Sequence, residues 1–331
     1  MTEAPPRLTL ARLPTPLERS PKLGDLLGIP LWWKRDDLTG AELSGNKIRK
    51  LEFLLADAEA MGADTVITCG GVQSNHCRAT ALAAARRGLG SVLLLRVPDP
   101  NAPPPLEANS LLGALAGAEI RYVSPEQYGA RDELFRQLTV ELAARGRRPY
   151  LIPEGGSNAL GAWGYVQCVA ELRAQLGDRP VTIVYAAGSG GTGAGIEIGI
   201  RRAGWTTAHA IGFAVCDDRA FFQRQIAAIA AQANIRWDLG QHITPDQIAI
   251  IDGYVGPGYG RTTPDMLAAI RDAAHADGIV LDPVYTGKAF YGLTRELAAH
   301  PETFGAGDVV FIHTGGIFGL FPFAAQLLPL V

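Results

Sequence analysis

Residues 181–195 read Val-Thr-Ile-Val-Tyr-Ala-Ala-Gly-Ser-Gly-Gly-Thr-Gly-Ala-Gly. The first seven predict a strong strand, and the glycines after them a turn that opens into a helix. The same unit recurs on either side. Strands are predicted at 65–68, 91–97, 119–123, 149–152, 207–215 and 309–313. Helices are predicted at 79–87, 107–116, 131–144 and 221–233, with an apolar C-terminal helix over 318–328. Strand, loop and helix in succession specify an α/β fold with a parallel sheet. Such sheets take ligands at the carboxyl ends of their strands.

The strand-to-helix loops are where chemistry concentrates. In Gly188–Gly195 the glycines let the backbone approach a ligand, and Ser189 and Thr192 add hydroxyls suited to a phosphate. The same loop satisfies G-x-G-x-x-G through Gly188, Gly190 and Gly193, with Asp217 and Asp218 beyond the next strand, so a nicotinamide dinucleotide site competes. A second loop, Cys69-Gly-Gly-Val-Gln-Ser-Asn-His76, runs into a helix with Ser74 placed as N-cap, and its free amides suit a carboxylate. A third, Leu281-Asp-Pro-Val-Tyr-Thr-Gly-Lys288, follows an expected strand; a fourth is His313-Thr-Gly-Gly316. Each has a plainer reading: a capped helix, a packed tyrosine, a core histidine before a tight turn.

Ser44-Gly-Asn-Lys-Ile-Arg-Lys50 is different in kind. The sequence holds five lysines among thirty basic residues, and this run places two of them three apart after a small polar turn. Lysine can lose its proton and form a Schiff base, whereas arginine cannot. A solvated helix start explains the run equally well by itself. Lys288 is a rival Schiff-base lysine or a helix-start cation.

Length and a 47% hydrophobic content allow one large domain or two modest ones. A net charge of -3 with no basic stripe sets nucleic acid aside as a partner. Cys69, Cys77, Cys168 and Cys216 are scattered, without C-x-x-C or metal-ligand spacing. That fits a reducing cytosol and argues against a metal site or a disulfide frame. Cys77 reads as a packing thiol. No apolar run is long enough to cross a bilayer, and no charged-then-apolar leader is present at Met1, so the expected location is cytoplasmic.

Taken in order, Lys34-Arg-Asp-Asp37, Ser44–Lys50, Gln73–His76, Gly155-Gly-Ser-Asn158, the glycine loop, Asp282–Lys288 and Thr314-Gly-Gly316 resemble the pyridoxal 5'-phosphate enzymes of the tryptophan-synthase-β superfamily, fold type II. Within it they are most similar to the branch of D-cysteine desulfhydrase and 1-aminocyclopropane-1-carboxylate (ACC) deaminase. The resemblance runs from about residue 10 to the C-terminus. It implies two open, twisted, mostly parallel sheets flanked by helices. A large cofactor-binding domain of residues 1–49 plus 161–331 would carry a small inserted α/β domain of residues 50–160. It also implies a homodimer.

The resemblance assigns Lys47 to the cofactor Schiff base and, once released, to the Cα proton. It gives Lys50 to the cofactor phosphate, with Ser189, Gly190, Gly191 and Thr192 wrapping it. Asn75 would bond the ring hydroxyl, and Ser74, Asn75 and His76 would hold the substrate carboxylate. Tyr285 would lie by the ring and substrate, and Thr286 by the ring nitrogen. The catalytic set is Lys47, Tyr285 and Ser74. The dinucleotide reading explains only the glycine loop and leaves the lysine run idle. ACC-opening members carry glutamate where Thr286 stands, and glutamine where His76 stands. A hydroxyl gives no counter-ion, so the electron sink is weaker, which suits β-elimination better than cyclopropane opening. The expected activity is conversion of D-cysteine to pyruvate, sulfide and ammonia. ACC deamination, or attack on 3-chloro-D-alanine or L-cysteate, is the alternative; a nicotinamide-dependent oxidoreductase and a non-catalytic cofactor binder are the others.

Overall fold

The computed structural model describes residues 3–331. In chain order the strands are β1 Leu17–Arg19, β2 Leu31–Lys34, β3 Thr65–Gly71, β4 Gly90–Arg96, β5 Glu119–Val123, β6 Pro149–Leu151, β7 Val181–Ala187, β8 Ala208–Ala214, β9 Ala249–Ile251 and β10 Asp308–Ile312. The helices are α1 Pro21–Leu27, α2 Lys47–Ala60, α3 Asn75–Arg86, α4 Ala108–Leu115, α5 Pro125–Gly129, α6 Arg131–Ala144, α7 Trp163–Leu176, α8 Gly191–Arg202, α9 Arg219–Trp237, α10 Pro264–Asp277, α11 Thr286–Ala299 and α12 Ala324–Leu327.

Two sheets form. One has the order β1-β2-β10-β7-β8-β9, parallel except for β1 against β2; the other, β5-β4-β3-β6, is parallel throughout and built from residues 65–151. The expected α/β architecture of two mostly parallel sheets is therefore present. Every residue of β7 and of β3 is buried, as helices on both faces of a parallel sheet require. One apolar cluster fills one side of the six-stranded sheet, including Ile183, Trp163 and Phe222, and a second fills the other, including Trp33, Phe213 and Phe311.

Helix α2 explains itself by pattern. Ile48, Leu51, Phe53, Leu54, Leu55 and Ala58 are buried, each large side chain contributing about 1.5–3 kcal/mol. Arg49, on the same helix, is buried against Asp36 at 2.8 Å and Glu171 at 2.8 Å. That pair fixes the first turn of α2, and with it the residues around Lys47. Helix α8 packs closely on α7: a Cβ at Gly195 would stand 2.2 Å from the Ala162 carbonyl oxygen.

Two expectations fail. Residues 318–328 are not one helix; Pro322 interrupts the segment, leaving 3-10 turns over Ile317–Phe323 and a short α12, because proline removes a backbone donor and clashes with the preceding turn. The segment immediately before Leu281, residues 278–280, is not a strand. There the chain runs from α10 through an irregular segment into a turn closed by Asp282, whose carboxylate accepts from the amides of Val284, Tyr285 and Thr286 at 2.8–3.0 Å.

Candidate active site

A cavity of about 660 Å3 opens where carboxyl ends of strands from both sheets converge, near Gly70, Arg96, Ala187 and Thr314. Lys47, Ser74, Asn75, His76, Ser189, Gly190, Thr192 and Tyr285 line it. The lysine run, the capped helix, the glycine loop and the tyrosine thus meet at one place. Lys50, Gly191 and Thr286 stand just outside the lining.

Lys47 is the first residue of α2. Burial pushes its amine down to about 8, against the opposing pull of Glu154. A lysine in that state offers a substantial neutral fraction near neutral pH, as a Schiff-base lysine must. Lys50, one turn on, is fully buried. Its Nζ donates to the Gly155 carbonyl and the Ser157 hydroxyl, both at 3.3 Å. Burial, and then the charge of Lys47, hold it well below its ordinary value. Two lysines so placed, with only neutral partners around Lys50, suit an anion, whose charge would restore the proton that burial disfavours.

The glycine loop supplies the rest of an anion site. Gly190 has φ +84°, turning the chain from β7 into α8. The first amides of α8 have no intrahelical acceptor and sit at the positive end of the helix. Ser157 ties this loop to Lys50: its hydroxyl lies 2.8 Å from Ser189 Oγ and accepts from the Gly191 amide at 3.3 Å. Asn46 donates to Thr192 Oγ1 at 3.3 Å, joining the lysine run to the same loop. Gly155, at φ +66°, passes so close that a Cβ there would lie 2.5 Å from Ser189 Oγ and 3.3 Å from Lys47 Nζ. The Lys50 amine, two hydroxyls and helix-start amides make a donor set that fits the phosphate of pyridoxal phosphate, with the Lys47 amine available to its aldehyde.

At the start of α3, Ser74 Oγ accepts from the Cys77 amide at 3.1 Å. The Asn75 and His76 amides therefore remain for a carboxylate. Asn75 Oδ1 accepts from Asn109 Nδ2 at 3.0 Å, which leaves the Asn75 amide nitrogen for a ligand. The His76 ring turns inward: Thr68 Oγ1 gives its proton to the Ile152 carbonyl, so His76 Nε2 donates to that hydroxyl at 2.8 Å. Burial, with Lys47 and Lys50 beside it, holds the ring neutral. What His76 presents at the helix start is its backbone amide. Cys77 is buried and burial raises its thiol, in keeping with a packing role.

Tyr285 meets Tyr259, hydroxyl to hydroxyl, at 2.9 Å. Tyr259 escaped the sequence reading because it lies in a glycine-rich segment without periodicity. Burial pushes its phenol up to about 12 and that of Tyr285 well above the ordinary value, so both are neutral donors near pH 7. Ser157, Asn46, Asn109 and Glu154 likewise carry no local signal of a role beyond the motifs Gly155-Gly156-Ser157-Asn158 and Ser44–Lys50 in which Ser157 and Asn46 stand. Thr286 is fully buried, with its hydroxyl donating to Asp282 Oδ1 at 2.7 Å. Lys288 is not part of the cavity wall: its Nζ is taken up by backbone carbonyls. Asp218 caps α9, accepting from the Phe221 amide at 2.7 Å, and is engaged as a cap instead of a ribose ligand. Among the described residues no cluster of three metal-ligating side chains occurs.

Comparison with known proteins gives the same direction. The pattern of the family described as pyridoxal-phosphate dependent enzyme matches residues 8–315. The chain is 42% identical to the bifunctional D-cysteine desulfhydrase/1-aminocyclopropane-1-carboxylate deaminase, mitochondrial, of Arabidopsis thaliana, over 98% of this chain and 81% of that one. It is 40% identical to the D-cysteine desulfhydrase of Yersinia pestis (strain Pestoides F), over 97% of each. A solved ACC deaminase homologue superposes with a TM-score of 0.87 at 38% identity, covering 99% of this chain and 97% of the other. A fungal L-serine ammonia-lyase from Rhizomucor miehei shares the fold, with a TM-score of 0.65 at 20% identity over 95% and 98%.

Proposed function

The chain belongs to the pyridoxal-phosphate dependent enzyme family, and on that premise we propose that it is a carbon–sulfur lyase acting on D-cysteine. The observation that carries this reading is Thr286. The residue after the substrate-side tyrosine bears no carboxylate, and its hydroxyl is already committed to Asp282. Thr286 itself therefore supplies no counter-charge of the kind that favours opening a cyclopropane ring lacking a Cα hydrogen, and the neighbouring Asp282 carboxylate is taken up by the amides of Val284, Tyr285 and Thr286. Removal of a Cα proton with loss of a β thiolate needs less.

Bound through Lys47, pyridoxal phosphate supplies the electron sink that acidifies the Cα–H bond of an amino acid. Ser189, Gly190, Gly191 and Thr192 would hold its phosphate, with Lys50 supplying positive charge at that end and bonded to Ser157 beside the loop, and Asn75 would hold its ring hydroxyl. The amides at the start of α3, capped by Ser74, hold the substrate carboxylate. Once the substrate's amino group has displaced it from the cofactor, the freed Lys47 amine, its basicity lowered by burial, would take the Cα proton. Tyr285, oriented by Tyr259, hydrogen-bonds on the substrate side. The Cβ–S bond breaks with its electron pair on sulfur, which leaves as hydrosulfide. Hydrolysis of the released enamine gives pyruvate and ammonia. The same reading includes a division into a large domain of residues 1–49 plus 161–331 and an inserted domain of 50–160, with closure of the cleft excluding water.

The test is a product assay on the cofactor-loaded protein with D-cysteine, L-cysteine and ACC supplied separately. Sulfide and pyruvate from D-cysteine, without 2-oxobutyrate from ACC, is the expected result. 2-Oxobutyrate from ACC makes it a deaminase. We also place the enzyme in the cytoplasm as a homodimer. Exposed Leu111 and Leu115 on α4, and Phe321 on the 3-10 turn packed against α4, offer apolar surface for it. Sedimentation at micromolar protein distinguishes dimer from monomer.

A further inference from the structure

Lys288 is the third residue of α11 and is fully buried. Its Nζ donates to the carbonyl oxygens of Val255 at 2.7 Å and Gly258 at 2.8 Å, with that of Val215 at 3.5 Å. Val255 and Gly258 belong to the connection between β9 and α10, which contains neither helix nor strand. Gly253, Gly256, Gly258 and Gly260 punctuate it, all at positive φ. Such a segment has wide conformational freedom unless something fixes it.

Tyr259 sits beside the carbonyl that Lys288 holds. Its ring packs over Gly71, where a Cβ would stand 3.0 Å from Tyr259 Cε1, and lies 5.2 Å from the Arg96 guanidinium. Its hydroxyl meets Tyr285, the residue immediately before α11. One turn of chain thus presents both the phenol that Tyr259 must reach and the ammonium that grips its backbone. As mere filling, a buried ammonium is a poor choice, because an alkyl chain avoids the desolvation cost.

We infer that Lys288 is a positioning residue: it clamps the 253–260 segment so that Tyr259 delivers its hydroxyl to Tyr285. The kinetic side of this inference rests on the D-cysteine reading; the clamp itself does not.

The experiment is a double-mutant cycle on the holoenzyme. Lys288→Met is made in the parent and in Tyr259→Phe, with kcat and KM for D-cysteine measured beside the rate of trypsin cleavage after Arg261, an exposed residue at the end of the segment. Lys288→Met is expected to lower kcat about as much as Tyr259→Phe, to add little in the Tyr259→Phe background, and to speed cleavage after Arg261 roughly tenfold or more. Equal fold-losses in both backgrounds, or unchanged cleavage, overturn the clamp. If Lys288→Met does not fold, Gly258→Ala replaces it. No atom lies within 4 Å of the added methyl, so its effect comes through the backbone at φ +128°. Coupling to Tyr259 is again expected, and additivity overturns the inference. If the parent makes no sulfide or pyruvate, the substrate reading falls, and the cleavage rate in Lys288→Met decides the clamp alone.

Discussion

Lys50 holds its ammonium 3.3 Å from the hydroxyl of Ser157, and this contact ties α2 to the glycine loop. Ser157 in turn lies 2.8 Å from Ser189 Oγ, so one hydroxyl separates the Lys50 amine from the loop. Lys50→Met should therefore weaken binding of pyridoxal phosphate by about 10–100-fold, the worth of a hydrogen bond to a charged group. Absorbance titration of the apoprotein checks it. Unchanged affinity would separate Lys50 from the phosphate end.

Lys47→Ala should remove the visible absorbance of the bound cofactor and lower turnover by about 100-fold or more, the range for losing a general base. Retained activity in that variant ends the assignment of Lys47.

Capture of the cofactor by the apoprotein should depend on pH through the same residue. The nucleophile is the neutral amine, so the association rate rises with pH and levels off above about 8, the value to which burial brings Lys47. An amine at its ordinary 10.5 would still be gaining there. Stopped-flow mixing across pH 6 to 10 reads the midpoint, on the order of two pH units below that of a free lysine.

Thr286→Glu should shift the product ratio towards 2-oxobutyrate from ACC and away from pyruvate from D-cysteine. It puts a carboxylate at position 286 itself, where the present side chain is a hydroxyl bonded to Asp282. An unchanged ratio would sink the argument that Thr286 sets the reaction.

Asp36→Ala should cost about 3 kcal/mol of stability, the scale of breaking a buried ion pair from one side, with Glu171 retaining part of Arg49's compensation. Burial works to raise Asp36, but Arg49 at 2.8 Å and the Tyr165 hydroxyl at 2.7 Å outweigh it and hold the carboxyl below its ordinary 3.8. That contribution is intact at neutral pH. It fades as pH falls through 3.8 towards the depressed folded value. Thermal melts of both proteins between pH 3 and 7 should converge at the acid end.

By itself the sequence determined the alternation of strand and helix, the glycine loop after β7, the Ser74 cap and the paired lysines, because each rests on periodicity or on a residue type with one dominant local use. Val181–Ala187, Glu119–Val123 and Arg131–Ala144 match to the residue for that reason. Only the tertiary structure decided the rest. Tyr259 carries no local signal and becomes a site residue through a hydroxyl contact 26 positions away. Lys288, which locally reads as another Schiff-base candidate, is withdrawn from the cavity by carbonyls of a distant loop. His76 offers a ring in the sequence but an amide in the fold, because Thr68 on β3 claims the ring. Local pattern sets what a segment is; which polar group remains free for a ligand depends on partners that only folding brings within hydrogen-bond distance.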